Sequence, residues 1–427
     1  MTTTVPMARP IIFGLAAENL REVCVWLMFA VSFVVYIEPA PVDVMFLLVF
    51  LCFMRAGLSL TIGTVPLVVM LLVYNIGGIA SFLSVSGNSD AAFFMATSLY
   101  MGLVGILLAY YIAHNPVRRF AVIQSGITFG AFIAAVTGLI DYFFIGAFSG
   151  GLLEGRATGF FKDPNVYSTY LIMPAIMLMQ SLVLRTTRHP IVTSVGLMVI
   201  ALAIFLSFSR GAWISTLGAA ILMIGLNFIL ASQAVMRTRI MLFVVASIIF
   251  GAVAFVIMMS VPTIQDMFIQ RFSLVQSYDG GETGRFGAQA LSVPLLMQLP
   301  LGFGPLGFRE VFGNDPHNVY LNAFASYGWI GGISYLCIFI STVFIGFKTV
   351  FTRTPWQTAS IAVFCPLLTT MLQGVQIDTE HWRHFYWMLG MTWGLYAATL
   401  QPALVISGWR ALGLSYNADG PSQKPLA

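Results

Sequence analysis

The stretch Leu301–Gly332 gathers seven glycines, two prolines, three charged residues and one histidine at the start of an apolar run. Polarity of that density beside a membrane-length segment points to chemistry rather than packing. Asp315-Pro316-His317-Asn318 reads as a helix start, with Asp315 as N-cap and Pro316 at the first helical position. On that reading His317 falls in the first turn, and Tyr320, Leu321 and Phe324 continue its face at helical spacing. A helix N-terminus disfavours a protonated imidazole while Asp315 pulls the other way, so a neutral His317 at the edge of water is a candidate proton acceptor.

Two further polar starts precede apolar runs: Lys162-Asp163-Pro164-Asn165 and Ser207-Phe208-Ser209-Arg210-Gly211. Each presents unpaired backbone N–H groups and the positive end of a helix dipole, so three of them at one face would make an anion site. Taken singly, each is also an ordinary cap with a snorkelling basic side chain. Arg210 lies in so tight a turn that its guanidinium stays near the apolar boundary and calls for a partner. Arg285 precedes an amphipathic stretch running to Leu299, and it serves equally as a solvated charge paired with Glu282.

The elements that must hold these residues are membrane-spanning. The 427 residues are 59% hydrophobic and 8% charged, with mean hydropathy +0.90, which excludes an ordinary water-soluble globule. Apolar segments at 23–37, 42–54, 64–83, 91–112, 120–146, 166–184, 190–208, 211–230, 240–260, 327–347, 356–375 and 385–404 predict about twelve transmembrane helices. The expectation is an all-α, polytopic membrane protein forming one domain over 1–427. One larger external loop, 261–316, would carry part of the site. A cytoplasmic N-terminus puts Arg118, Arg119, Arg185, Arg188, Arg237, Arg239, Lys348, Arg353 and Arg410 inside, and most acids outside. Arg156, Lys162, Arg210, Arg271, Arg285, Arg309 and Arg383 break that rule, so something outside needs cations. Cys24, Cys52, Cys337 and Cys365 lie in apolar runs and read as small hydrophobes.

Two patterns carry less than they suggest. Gly302-Phe303-Gly304-Pro305-Leu306-Gly307 matches G-x-G-x-x-G, but no strand precedes it and Pro305 interrupts it, so the glycines serve a tight turn before His317. Asp378, Glu380, His381 and His384 have metal-ligand types at helical spacing, yet Arg383 sits among them. A short wet loop with Trp382 at the interface accounts for them better.

Taken in order, Arg156 to Asn165, Ser209-Arg210-Gly211-Ala212-Trp213, Arg285 ahead of Gly302-Phe303-Gly304, and Pro316-His317-Asn318-Val319-Tyr320-Leu321 with Gly328 resemble the O-antigen ligase and Wzy-type polymerase superfamily. The resemblance spans about residues 150 to 347. It implies a GT-C-like, inverting, metal-independent glycosyltransferase without a cofactor, located in the bacterial inner membrane with both termini cytoplasmic and the site periplasmic. The implied partners are an undecaprenyl-diphosphate-linked glycan, an acceptor glycan or lipid A core, and membrane lipid, with no nucleic acid. His317 matches the general base. Arg210 and Arg285 match the diphosphate-binding arginines, with Arg156 a recurrent residue beside them. Asn318, Tyr320, Asp163, Asn165 and Lys162 would support the site. A transporter or flippase of an anionic substrate is the competing class, but it would place charges near the bilayer midplane and show repeat symmetry.

Overall fold

Helices form where the chain runs apolar over spanning lengths, and polar or proline-containing turns stop them. The computed structural model describes residues 11–54, 61–85, 89–144, 148, 155–272, 284–411, 414–417 and 420–425. The first nine helices are α1 (Ile11–Ala30), α2 (Pro41–Met54), α3 (Val65–Phe82), α4 (Ser89–His114), α5 (Pro116–Phe143), α6 (Pro164–Val183), α7 (Pro190–Leu206), α8 (Arg210–Leu230) and α9 (Ala234–Met259). Three shorter ones follow: α10 (Pro262–Phe272), α11 (Arg285–Leu296) and α12 (Gly307–Phe312). The last four are α13 (Val319–Phe351), α14 (Gln357–Gln373), α15 (Arg383–Thr399) and α16 (Pro402–Ala411). The all-α expectation holds apart from a two-stranded antiparallel hairpin, Leu414–Asn417 with Gly420–Pro425.

Each of the twelve expected segments overlaps a helix, but length and apolarity qualify fewer as spans. Among the described residues seven helices are long and apolar enough to cross a membrane: α3, α4, α5, α6, α8, α9 and α13. An eighth arises if α15 and α16, bent by 93°, count as one span, whereas α2 and α7 are apolar but shorter. The helices α10, α11 and α12 lie within the segment 261–316; Glu282, offered as the partner of Arg285, lies outside the described residues.

Alternation of helix direction sorts the polar turns to two ends. At one end Arg118 and Arg119, opening α5, pair with Glu22 at 2.8 Å and Glu18 at 3.5 Å on α1. The turns before α6, α8 and α13 all fall at the other end.

The expected helix start at Asp315 is not where the helix begins. Asn318 is the N-cap of α13, its Oδ1 accepting from the backbone N–H of Tyr320 and Leu321 at 3.1 Å each. Asp315 is drawn aside by a bidentate pair with Arg309, 3.0 and 2.8 Å, so it cannot turn back to cap. His317 therefore precedes the helix, in left-handed backbone conformation at φ 49°. Nor does the helix run straight on through the expected start of its span. Gly328 breaks α13 at φ 66°, ψ −171°, a conformation that essentially only glycine adopts. The glycine loop plugs this break: Phe303 and Gly304 donate N–H groups to the Ala325 carbonyl at 2.8 and 3.2 Å, and Trp329 donates to Pro300 O at 2.9 Å. Gly302, at φ 69°, lies against the carbonyls of Phe324 and Ala325, which confirms the tight-turn reading.

Candidate functional site

The first wall of the site is the start of α6. Asp163 caps it, accepting from the N–H groups of Asn165 at 2.6 Å and Val166 at 3.2 Å, and Pro164 occupies the first helical position as expected. Arg156 ties this wall to the next. Its Nε donates to Ser207 O at 2.7 Å and its Nη2 to Asn165 Oδ1 at 3.0 Å, and the residue is only 7% exposed. In the α7–α8 turn Phe208 is left-handed at φ 49°, and the Ser209 hydroxyl caps α8 by accepting from Ala212 N–H at 3.4 Å. Arg210 is then the first helical residue.

The opposite wall comes from α11, α14 and the segment before α13. Arg285 opens α11, and its Nη2 donates to Gln376 O just beyond α14. Gln289, one turn on, donates from Nε2 to Pro316 O at 2.7 Å, which fixes α11 to the histidine segment. The His317 and Asn318 N–H groups donate to Asp378 Oδ2 and Oδ1 at 2.9 and 3.1 Å, and Val319 N–H donates to Gly374 O at 2.8 Å. Thus the α14–α15 loop sets the backbone from which His317 projects.

Between these walls lies a cleft of about 470 Å³. Arg156, Arg210, Arg271 and Arg285 line it together with Asp163, Asn165, Asn314, His317, Gln373 and Gln376. Four guanidiniums and the N-termini of α6, α8 and α11 meet at one place, an arrangement that attracts a polyanion and repels a cation. An imidazole stands at the rim of that charge. The seven cations that broke the sidedness rule now divide. Four enter the cleft; Lys162 pairs with Glu38 at 2.7 Å, Arg309 with Asp315 at 2.8 Å, and Arg383 with Asp43 at 2.7 Å.

Residues 195–336 match the family model described as O-antigen ligase. This bears out the resemblance to the O-antigen ligase and Wzy-type superfamily. The O-antigen ligase match takes in Arg210, Arg271, Arg285 and His317, while Arg156, Asp163, Gln373 and Asp378 lie beyond its two ends. No curated protein matches the chain.

Of the residues singled out in the sequence, His317, Arg156, Arg210, Arg285, Asp163 and Asn165 share the cleft, and Lys162 is turned to Glu38. Asn318 and Tyr320 line an adjacent apolar groove of about 550 Å³ with Phe286, Val293 and Phe324. Their visible work is structural: the Asn318 cap, and a hydrogen bond of 2.6 Å from Tyr320 Oη to Met371 O. The sequence reading missed Arg271, Gln373, Gln376 and Asp378 as members of the site. Arg271 had shown only as an external cation, and Asp378 only as an external acid grouped with Glu380, His381 and His384 and set aside as part of a short loop. An amide such as Gln373 inside an apolar run was the signal left unused.

The loop Asp378–His384 is not wet. Trp382, Glu380 and His384 are buried, and among the described residues no trio of His, Cys, Asp or Glu can hold a metal. Burial, with the negative charge of Asp315, pushes the Asp378 carboxyl up to about 7 against the two N–H donors that lower it. Burial also holds Glu380 well above the usual carboxylate range, against the hydrogen bond that Asn322 Nδ2 donates to its Oε1 at 2.6 Å. Desolvation, aided by Arg383, takes His381 down to about 4.

Proposed function

We propose that this protein transfers a glycan from undecaprenyl diphosphate to a sugar hydroxyl, in the manner of an O-antigen ligase. The observation that carries the reading is the meeting of His317 with four arginines in one cleft at the tips of α6, α8 and α11. A sugar hydroxyl is a poor nucleophile, so a base must take its proton as the anomeric bond breaks. His317 is that base. The acceptor oxygen attacks the anomeric carbon from the face opposite the diphosphate, which inverts the configuration. The carbon–oxygen bond to the diphosphate breaks with its electron pair passing to the phosphate oxygen. Arg210 and Arg285 hold the diphosphate through planar, fork-shaped donors. The helix N-termini add fixed positive potential at no reorganisation cost. Arg156, committed to Ser207 and Asn165, locks the two walls at the spacing the phosphates need.

The protein sits in the bacterial inner membrane with both termini cytoplasmic and the cleft facing the periplasm, so the glycan stays in water while the polyprenyl chain lies in lipid. A lipid A core acceptor makes it a ligase; a second lipid-linked repeat unit makes it a polymerase, which the same domain accommodates. The deciding experiment offers purified protein one lipid-diphosphate glycan and either acceptor, in a buffer containing chelator. Mass gain on one acceptor that vanishes in His317→Ala supports the reading; His317→Ala with full activity removes the base from the mechanism.

A further inference from the structure

The segment that presents His317 is shared between two cavities. Asn314 and His317 line the arginine cleft, whereas Asp315 and Pro316, between them in sequence, line a second cavity of about 260 Å³. This partition is held firmly: Gln289 Nε2 donates to Pro316 O at 2.7 Å, and Arg309 grips both carboxylate oxygens of Asp315. Asp378 and Glu380 of the α14–α15 loop line the second cavity with Asn322 and Ser326 of α13, and Phe94 of α4 and Phe308 of α12 supply its apolar wall.

Its chemistry is the reverse of the cleft's. Carboxyl groups stand where the cleft has arginines, and Arg309, the one cation among the described lining residues, is committed to Asp315 at 2.8 Å. A phosphate would meet like charge there. Nor do the acids assemble into a metal site among the described residues. Glu380 marks what does fit. It is 5% exposed; its Oε1 accepts from Asn322 Nδ2 at 2.6 Å, and Asn322 Oδ1 accepts from the Ser326 hydroxyl at 2.8 Å. Its Oε2 has no hydrogen-bond partner among the described residues. A carboxyl oxygen buried without a partner is costly, and native structures leave few of them. One water would satisfy it, but the cavity far exceeds the ~30 Å³ of one water and approaches the ~300 Å³ at which small-ligand pockets begin. Apolar rings beside a few fixed carboxyl and amide groups suit a neutral polyhydroxyl ring, whose C–H face packs on the rings while its hydroxyls exchange hydrogen bonds with the polar groups.

The position says whose sugar it is. Inversion puts the acceptor and the diphosphate on opposite faces of the anomeric carbon, so the base stands on the acceptor's side. The second cavity adjoins that base and, among the described residues, shares no arginine with the cleft. We propose that this cavity is a subsite for the acceptor glycan, a reading that rests on the function given above: it holds the sugar next to the one whose hydroxyl gives its proton to His317, with Glu380 as the group that recognises it. The test uses the full chain in detergent and measures inhibition of transfer to the intact acceptor by two free sugars, the acceptor's terminal disaccharide and its terminal monosaccharide. In wild type the disaccharide should inhibit about tenfold more strongly, the worth of one good hydrogen bond. In Glu380→Ala the two should inhibit alike, with KM for the donor changed less than about threefold. A folding defect, or a loss of His317 positioning through the neighbouring Asp378, would lower the rate without erasing the difference between the two sugars. Phe94→Ala leaves the hydrogen bonds of Glu380 in place and should also shrink that difference, which keeps the test decisive should Glu380→Ala fail to fold. Equal inhibition by both sugars in wild type overturns the subsite, and so does a preference that survives in both variants. A wild-type chain that transfers glycan to no acceptor overturns the proposed function itself.

Discussion

Replacing Asp378 by alanine tests whether the histidine works through the loop that holds it. Its two carboxylate oxygens accept the N–H groups of His317 and Asn318 at 2.9 and 3.1 Å. Hydrogen bonds to an ionised acceptor contribute about 1.5 to 3 kcal/mol each, and because burial holds the Asp378 carboxyl up at about 7, only partly ionised at neutral pH, the lower figure applies. Losing both costs the segment about 3 kcal/mol. The left-handed backbone of His317 costs a further ~1 kcal/mol to maintain, which the segment no longer offsets. At 1.4 kcal/mol per tenfold, an imidazole that leaves its working position loses at least about 100-fold in kcat. Asp378→Asn keeps one acceptor and should fall about tenfold. The assay is initial-rate glycan transfer by purified protein, with binding of undecaprenyl diphosphate measured in parallel. Binding should fall less than kcat, since of the cleft arginines only Arg285 neighbours this loop carboxylate. In a His317→Ala background Asp378→Ala should change nothing further, because its effect passes through the ring. Wild-type kcat in Asp378→Ala refutes the reasoning, and so does an equal loss of lipid diphosphate binding.

Two predictions concern stability. Gly328→Ala should lower the thermal midpoint in detergent by the equivalent of at least about 1–3 kcal/mol. A Cβ there would meet Pro300 O at 2.7 Å in a backbone conformation closed to alanine; an unchanged midpoint would sink the account of the break in α13. Glu380 holds its proton more tightly in the folded than the unfolded chain, so its stabilising contribution is full below the ordinary value of 4.5 and is lost as pH rises. Wild type should therefore lose stability relative to Glu380→Gln between pH 5 and pH 9, as read by thermal shift; a difference that does not change with pH would show that Glu380 is not a buried acid.

The legible part of this protein was its one-dimensional chemistry. Apolar runs must become helices in a solvent that cannot satisfy backbone groups, and basic residues are costly to translocate, so helix positions and the odd cations stood out in residue order alone. The capped start at Asp163-Pro164 was equally local, because an N-cap bonds to N–H groups two and three residues away. Asp315-Pro316 carried the same local signal and misled. Arg309 captured Asp315, and Asp378, some sixty residues on, took the N–H groups that a cap would have served. Only the tertiary structure made that choice. It also separated the four arginines of the cleft from the three cations paired elsewhere, because a charge finds its partner through space and the sequence records no distances. The sequence thus determined which elements form and which residues are out of place in a membrane. Packing decided which of those residues face one another, because helices joined by short turns can bring residues 156, 210, 271, 285 and 317 to one end only when all are assembled.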